Sequence, residues 1–161
     1  MAEKELVRGL TAGELNQARW MFGDTVNFTI VQIHRGKYAF WQPDNTAMAP
    51  NGHVYFPAPI YHADFSINAS TMWLLIHELT HVWQVQSGVW LKFRRVVLEG
   101  GVYDYGQLSP TRELQSYTVE QQGSIVADWF RLRHRLGAHH GSGALANYEA
   151  VVRRAIPAAD R

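Results

Sequence analysis

The chain has 161 residues, of which 47% are apolar and 18% are charged, and its formal net charge is +1. This size and composition predict one globular domain over residues 1–161, exclude a disordered chain, and give no sign of a nucleic-acid-binding surface. The lack of cysteine excludes disulfides and thiolate metal sites. No apolar run reaches the roughly 18 residues of a membrane span, and the charged start MAEKELVRGL predicts no secretory signal peptide.

The first half of the chain predicts one helix followed by two or three strands. Thr11 and Glu14 form a capping-box pattern, which predicts a helix that ends near Gly23. Residues 25–34 are rich in β-branched side chains and predict a strand. An Asn-Gly pair at 51–52 lies between short apolar runs and favours a hairpin with a tight type I′ turn, with a surface loop as the alternative.

The second half predicts two long helices and a short one. After an irregular stretch, the first long helix begins with Asn68 or Ser70 as its N-cap and ends at Gly88. The secondary structure of residues 89–112 is ambiguous, because a pair of glycines interrupts any regular element there. A second long helix is predicted over about 112–136, followed by a glycine-rich loop and the short helix ALANYEAVVRRA. This order predicts an α+β fold with a small antiparallel sheet or hairpin, and with the first long helix packed on the second.

The stretch LLIHELTHVWQ, residues 74–84, places two histidines and a glutamate in an otherwise apolar helix. His77 and His81 are four residues apart, so a helix presents both imidazoles on one face, where they can share a metal ion. Glu78 lies beside them and can take a proton from a water whose pKa zinc has lowered. This H-E-x-x-H arrangement predicts a Zn²⁺ cofactor and a metallopeptidase; two unrelated core histidines are the alternative.

A catalytic zinc site needs a third protein ligand. The class that supplies it through H-E-x-x-H-x-x-G-x-x-H is excluded, because Gln84 and Ser87 stand where that pattern needs glycine and histidine. The remaining source is a carboxylate farther along the chain, on the second long helix. The downstream carboxylates are Glu99, Asp104, Glu113, Glu120, Asp128 and Glu149.

Glu120 is the predicted third ligand. At about 100° per residue it falls beside the main apolar stripe of its helix, on a seam that includes Ser124 and lies next to Gly123. Small residues on that seam would let another helix approach closely. Two other carboxylates are alternative ligands: Asp128, which lies two turns on, and Glu113, whose position near the helix start is explained by the helix dipole. Glu120 would then be a solvated surface residue.

Four segments together resemble a known family. HELTHVWQ, YTVEQQGSIVADWF, NGHVYFP and YHADFS are similar to the zinc metallopeptidase domains of bacterial type VI secretion, which occur at or beside VgrG-type spike proteins or linked to Rhs proteins. The resemblance covers roughly residues 45–132. It implies a zincin-like, gluzincin-type domain in which His77, His81 and Glu120 hold zinc and Glu78 is the general base.

The same resemblance implies a biological setting. It suggests an antibacterial endopeptidase toxin made in the bacterial cytoplasm and delivered by a secretion system to a competitor's periplasm. Its partners would be a peptide or protein substrate, a VgrG or Rhs delivery protein, and a cognate immunity protein. An intracellular processing peptidase and a zinc-stabilised binding module without turnover are the alternatives. The intact Glu78 argues against the binding module, because a purely structural zinc site needs no base.

One departure from the thermolysin-like pattern concerns the residues behind the zinc ligands. Those enzymes carry an aspartate four residues after the ligand glutamate, where this chain has Ser124. Asp128 is therefore the candidate for the carboxylate that orients a ligand histidine, with Ser124 as a further candidate near it.

Substrate contacts are predicted at two places. The hairpin strand Val54–Phe56 could pair with an extended substrate through its backbone. A phenol could donate to the oxyanion that develops during peptide hydrolysis; the candidates are Tyr103, Tyr105 and Tyr117. The remaining polar residues of interest are predicted to be at the surface: His134, His139, His140 and the pair Arg94-Arg95.

Overall fold

A computed structural model describes residues 5–89 and 101–160, where it combines helices with short strands, as the α+β expectation required. The α-helices of this part are α1 (Ala12–Phe22), α2 (Ala69–Gln86), α3 (Val119–Arg133) and α4 (Leu145–Ala155). The strands are β1 (Leu6–Arg8), β2 (Ile33–Arg35), β3 (Val54–Phe56), β4 (Gly106–Gln107) and β5 (Gly141–Ser142). Single 3-10 turns lie at Phe28–Ile30, Ala58–Ile60, Phe65–Ile67 and Leu114–Ser116.

The larger sheet has the order β1-β2-β3 and is mixed, so the prediction of an antiparallel sheet is wrong in part. β1 pairs with β2 antiparallel, but β2 pairs with β3 in parallel. A parallel pair needs a long connection between its strands, and the loop between residues 35 and 54 provides it. A second, two-stranded parallel pair joins β4 to β5.

Two predictions in the first half fail because polar side chains compete with the backbone. Only the end of the predicted strand 25–34 is a strand, since the Asn27 carboxamide accepts from the backbone N–H of Thr29 and forms a 3-10 turn. A chain reversal does exist at 51–52, closed by an antiparallel bridge between Met48 and Tyr55. The type I′ turn is wrong, because only the glycine of the pair has a positive φ.

The capping box at the start of α1 forms as predicted and also fixes the chain before α2. Glu14 is fully buried and accepts from Arg8 through both carboxylate oxygens and from the backbone N–H of Thr11. It also accepts from the backbone N–H of Phe65, while Thr11 donates to Asp64. This network anchors the segment that leads into the helix carrying the histidines.

The predicted bounds of α2 are confirmed. The Asn68 side chain accepts from the backbone N–H of Ser70 at the start, and Gly88 takes a φ of 87° just past the end. Its side chains Leu75, Ile76 and Leu79 are fully buried, and each contributes roughly 1.5–3 kcal/mol of transfer free energy. α2 is therefore a central helix of the core.

The second long helix is shorter than predicted, since it begins at Val119 and ends at Arg133. Thr118 and Gln121 form a capping box that sets the start, after a separate 3-10 turn. Glu113 consequently lies outside the helix. Glu120 instead lies in the first turn of α3, where the N-terminal end of the helix dipole favours its negative charge.

One buried apolar cluster takes in residues of all four helices and of strands β2 and β3. Within the described residues, no helix is both long and apolar enough to cross a membrane. The predictions for Arg94, Arg95 and Glu99 fall on the stretch 90–100, which lies outside the described residues.

Candidate metal centre

Two adjacent helices bring three buried polar side chains to one point. α2 supplies His77 and His81 from successive turns, and α3 supplies Glu120 from its first turn. The Nε2 atom of His77 lies 3.1 Å from one oxygen of Glu120, and the Nε2 atom of His81 lies 3.3 Å from the other. The two Nε2 atoms are 3.2 Å apart. Among the described residues this is the one group of three side chains with metal-ligand spacing.

The three side chains fit a metal such as zinc. Ligand atoms bound about 2.0–2.1 Å from one tetrahedral ion lie roughly 3.3 Å from each other, close to the three separations found. The donor set of two imidazoles and a carboxylate is also one that zinc accepts. His77, His81 and Glu120 could therefore hold one ion and leave its fourth position for water or substrate.

Gly123 makes the close approach of the two helices possible. A Cβ atom at this position would lie 2.8 Å from Cε1 and 2.9 Å from Nε2 of His77. The His77 ring thus rests directly against the backbone of α3, one turn after Glu120. The small-residue seam predicted from the sequence has its structural role at this glycine.

Electrostatics favour a charged carboxylate at the centre of the cluster. Burial raises the pKa of Glu120, but the positive charge of His81 and the hydrogen bond from His77 outweigh it and hold the pKa well below its usual range. Burial lowers the pKa of His81, yet Glu120 more than offsets this and raises that pKa to about 9. The carboxylate is thus balanced by a proton on the imidazoles, and a bound cation would take the place of that proton.

Glu78 borders the cluster without joining it. Its side chain is buried, and its Oε2 atom has no hydrogen-bond partner among the described residues. Burial raises the pKa of Glu78, against the opposing charges of His81 and His77. An unpartnered buried carboxylate is costly, so this position is suited to a group that handles a proton rather than to a structural contact.

A cavity of about 360 Å³ opens onto the cluster. Its apolar side is formed by Ala47, Phe56, Ile60, Trp73 and Leu74, and its polar side by the cluster with Glu78, Tyr103 and His140. This combination of an apolar lining and a few convergent polar groups is typical of a site for a small ligand or a side chain.

Of the three tyrosines predicted as oxyanion donors, Tyr103 alone is a cavity-lining residue. Its ring centroid lies 6.0 Å from that of His77. Tyr105 instead donates to Asp128 and accepts from Tyr148. Tyr117 is buried under the guanidinium of Arg112. Both are core residues, so the structure brings neither of them to the cavity.

His140 was predicted at the surface, but it lines the cavity. Its ring stacks on that of Tyr103, with centroids 5.6 Å apart, and its Nδ1 atom lies 3.0 Å from the Asp104 carboxylate. A donated Nδ1–H leaves Nε2 available on the other side of the ring. His134 and His139 are exposed, as predicted. The glycine-rich sequence around His140 gave no sign of this placement.

Asp128 and Ser124 were predicted to orient a ligand histidine, but the structure bonds neither of them to His77 or His81 among the described contacts. The Asp128 carboxylate accepts from the backbone N–H groups of His139 and His140 and from Tyr105. It therefore shapes the loop that presents His140 to the cavity. The Ser124 hydroxyl is buried, and the described residues offer it no hydrogen-bond partner.

Gln84, and not Asp128, is the polar residue that contacts a candidate ligand histidine. Its Oε1 atom lies 2.8 Å from the Nδ1 atom of His81, the ring nitrogen opposite the cluster. The sequence signal was available, because position 84 is three residues after His81 and so lies on the same face of α2. In the sequence, this glutamine stands out only because it replaces the glycine of the longer histidine motif.

The predicted substrate strand is in part covered. Both backbone polar groups of Tyr55, at the centre of Val54–Phe56, are bonded to Met48. The segment 45–47, just before Met48, is the one that lines the cavity, together with the side chain of Phe56. Both backbone polar groups of Thr46, at the centre of that segment, are also bonded, to the Pro43 carbonyl and to the Gln42 side chain.

The other candidate acids lie elsewhere. Asp104 is exposed and paired with His140, Glu113 is exposed and paired with Arg154, and Glu149 is exposed on α4.

Comparison with known proteins gives one relative in sequence and one in structure. The chain is 38% identical over 143 residues to the type VI secretion system spike protein VgrG2b of Pseudomonas aeruginosa, a match that covers 84% of this chain and 14% of the spike protein. It is similar to the solved effector domain of Pseudomonas aeruginosa VgrG2b with a TM-score of 0.73 and 36% identity, over 92% of this chain and 82% of that domain. No protein-family model matches the chain.

The fold and the His–His–Glu cluster define an α+β domain with a candidate metal centre between two helices. The match to the solved domain spans most of both chains. The chain belongs to the family of the VgrG2b effector domain of type VI secretion.

We expect Gly123→Ala to weaken binding of added zinc by roughly tenfold or more, because the new methyl group would displace the His77 ring. Ser124→Ala, at the next position, removes an unpartnered hydroxyl and should keep wild-type affinity. Competition against a chelator of known affinity measures both. Equal affinities of the two variants would contradict the close packing of His77 on α3.

We expect Glu120→Ala to lose most of its zinc affinity, whereas Asp128→Ala should keep it. Asp128→Ala should instead lower the free energy of unfolding by about 3 kcal/mol, since it leaves the buried Tyr105 hydroxyl and two backbone N–H groups without an acceptor. Zinc content after dialysis and urea unfolding separate the two effects. The assignment of Glu120 fails if Asp128→Ala empties the site and Glu120→Ala does not.

Proposed function

We propose that this domain is a zinc-dependent endopeptidase that acts as an antibacterial type VI secretion effector in the periplasm of competitors. The observation that carries the proposal is the convergence of His77, His81 and Glu120 within 3.1–3.3 Å of one another, beside Glu78, whose Oε2 atom has no partner among the described residues. Ligands and a base at one end of a cavity are the parts that metal-assisted hydrolysis requires.

Zinc, when held by these three residues, supplies a Lewis acid that polarises a peptide carbonyl and lowers the pKa of a water molecule. Glu78 takes a proton from the attacking water and delivers it to the amide nitrogen as the carbon–nitrogen bond breaks. Its position beside both histidines on α2 keeps its carboxylate near the point at which their Nε2 atoms converge.

Tyr103 and His140 supply donors on the polar side of the cavity. Burial raises the pKa of Tyr103, and the carboxylates of Glu120 and Glu78 raise it further, so the phenol keeps its proton. A neutral phenol can donate to the oxyanion that develops on the substrate carbonyl. His140, whose Nδ1 atom is held by Asp104, lines the same cavity and is a second candidate donor.

The substrate is a peptide or protein. An apolar side chain of the substrate can pack against Trp73 and Leu74 in the cavity. A VgrG or Rhs protein would deliver the domain, and the sequence relative, itself a spike protein, supports the first of these. A cognate immunity protein in the producing cell would protect it from the toxin.

Glu78→Gln tests catalysis directly, because it keeps the shape of the side chain and removes the proton acceptor. The variant should fold, bind zinc, and lose at least about 10²-fold in peptide hydrolysis, as for a positioned general base. Glu149→Gln makes the same chemical change on an exposed face of α4 and is the matched control.

In cells, wild-type protein and the Glu149→Gln control should slow growth when exported to the periplasm of a test bacterium, and Glu78→Gln should not. Cytoplasmic expression should be milder. Equal toxicity of wild type and Glu78→Gln would remove catalysis from the account and favour a binding module. Harmlessness of all three, with hydrolysis intact in vitro, would favour an intracellular processing enzyme.

A further inference from the structure

A buried glutamine connects the two helices that carry the candidate ligands. Gln84 lies on α2 and is 1% exposed. Its Oε1 atom lies 2.8 Å from Nδ1 of His81. Its Nε2 atom lies 3.2 Å from the carbonyl oxygen of Val119 and 3.0 Å from Oε1 of Gln122, both on α3. One side chain thus contacts a ligand and the turn that carries another ligand.

The direction of these hydrogen bonds is set by backbone carbonyls. The Nε2 atom of Gln122 lies 2.9 Å from the carbonyl oxygen of Tyr117, which can only accept, so the Gln122 oxygen must face Gln84. The Gln84 NH₂ group must then donate to that oxygen and to the Val119 carbonyl. Its own oxygen is left for His81.

The fixed orientation of Gln84 determines which nitrogen of a neutral His81 ring carries the hydrogen. Because an amide oxygen accepts and cannot donate, the Nδ1 atom of His81 must carry a hydrogen. The lone pair that can bind a metal is therefore on Nε2, the atom that faces His77 and Glu120. A histidine ligand whose other nitrogen donates in this way has its ring plane and tautomer fixed.

We infer that Gln84 is a positioning residue of the site, which selects Nε2 of His81 as the ligand atom and holds the first turn of α3, with Glu120, in register with α2. The inference rests on the proposed zinc site and deepens it. The role requires an acceptor and a donor at the end of one side chain of this length. A carboxylate would keep the bond to His81 but would face the Val119 carbonyl without a hydrogen to donate.

The test compares two glutamines of the same helix. Gln84→Met removes the amide at similar volume. Gln86→Met is the matched control, since Gln86 also bonds across to another segment, through the backbone N–H and carbonyl of Asn27, but does not touch the cluster. Zinc affinity is measured by chelator competition, and the ligand geometry is read from the visible spectrum of the cobalt-substituted protein.

We expect Gln84→Met to bind zinc roughly 10- to 100-fold more weakly and to change the cobalt spectrum, whereas Gln86→Met keeps both. Gln84→Glu retains the acceptor and should recover part of the lost affinity. Circular dichroism of each metal-free variant checks that it folds. If Gln84→Met does not fold, the test is the comparison of Gln84→Glu with the wild-type protein, whose cobalt spectra should differ.

Wild-type affinity and spectrum in Gln84→Met, or an equal loss in Gln86→Met, would overturn the positioning role. So would an affinity of Gln84→Glu no higher than that of Gln84→Met. A wild-type protein that binds no zinc would instead overturn the proposed site itself, so the two failures are distinguishable.

Discussion

The convergence of two imidazole nitrogens and a carboxylate between α2 and α3 is the constraint on which the rest of the structure depends. Three polar side chains are removed from water there, and burial of this kind is costly unless their charges and lone pairs are satisfied. The spacing of 3.1–3.3 Å among them leaves little tolerance in how the helices approach. A glycine at position 123 permits that approach, because a Cβ atom would meet His77.

The first turn of α3 positions both Glu120 and the segment that carries Tyr103. The capping box of Thr118 and Gln121 sets the first turn, which puts Glu120 opposite the histidines. The same two side chains reach the chain on the other side of the cavity, since Thr118 donates to the Val102 carbonyl and Gln121 donates to the Asp104 carbonyl. The turn that carries a ligand thereby also places Tyr103, which lies between those two residues.

The convergence of the three candidate ligands was predictable from the sequence because their positions follow from helix periodicity. His77 and His81 are one turn apart on any helix, and the seam of small residues identified Glu120 and Gly123. The features that failed depend on long-range contacts or on local competition for hydrogen bonds. His140 reaches the cavity only because β5 pairs with β4 and Asp128 holds its loop. The strand predicted at 25–34 was replaced by a turn because one asparagine side chain capped it.

The central claim is that His77, His81 and Glu120 hold one zinc ion, and X-ray absorption at the zinc edge tests it most directly. Protein loaded with one equivalent of zinc and dialysed should retain it. The spectrum should show two imidazole nitrogens and oxygen ligands at about 2.0–2.2 Å. Loss of the zinc on dialysis, or a spectrum with only oxygen ligands and no imidazole scattering, would contradict the account.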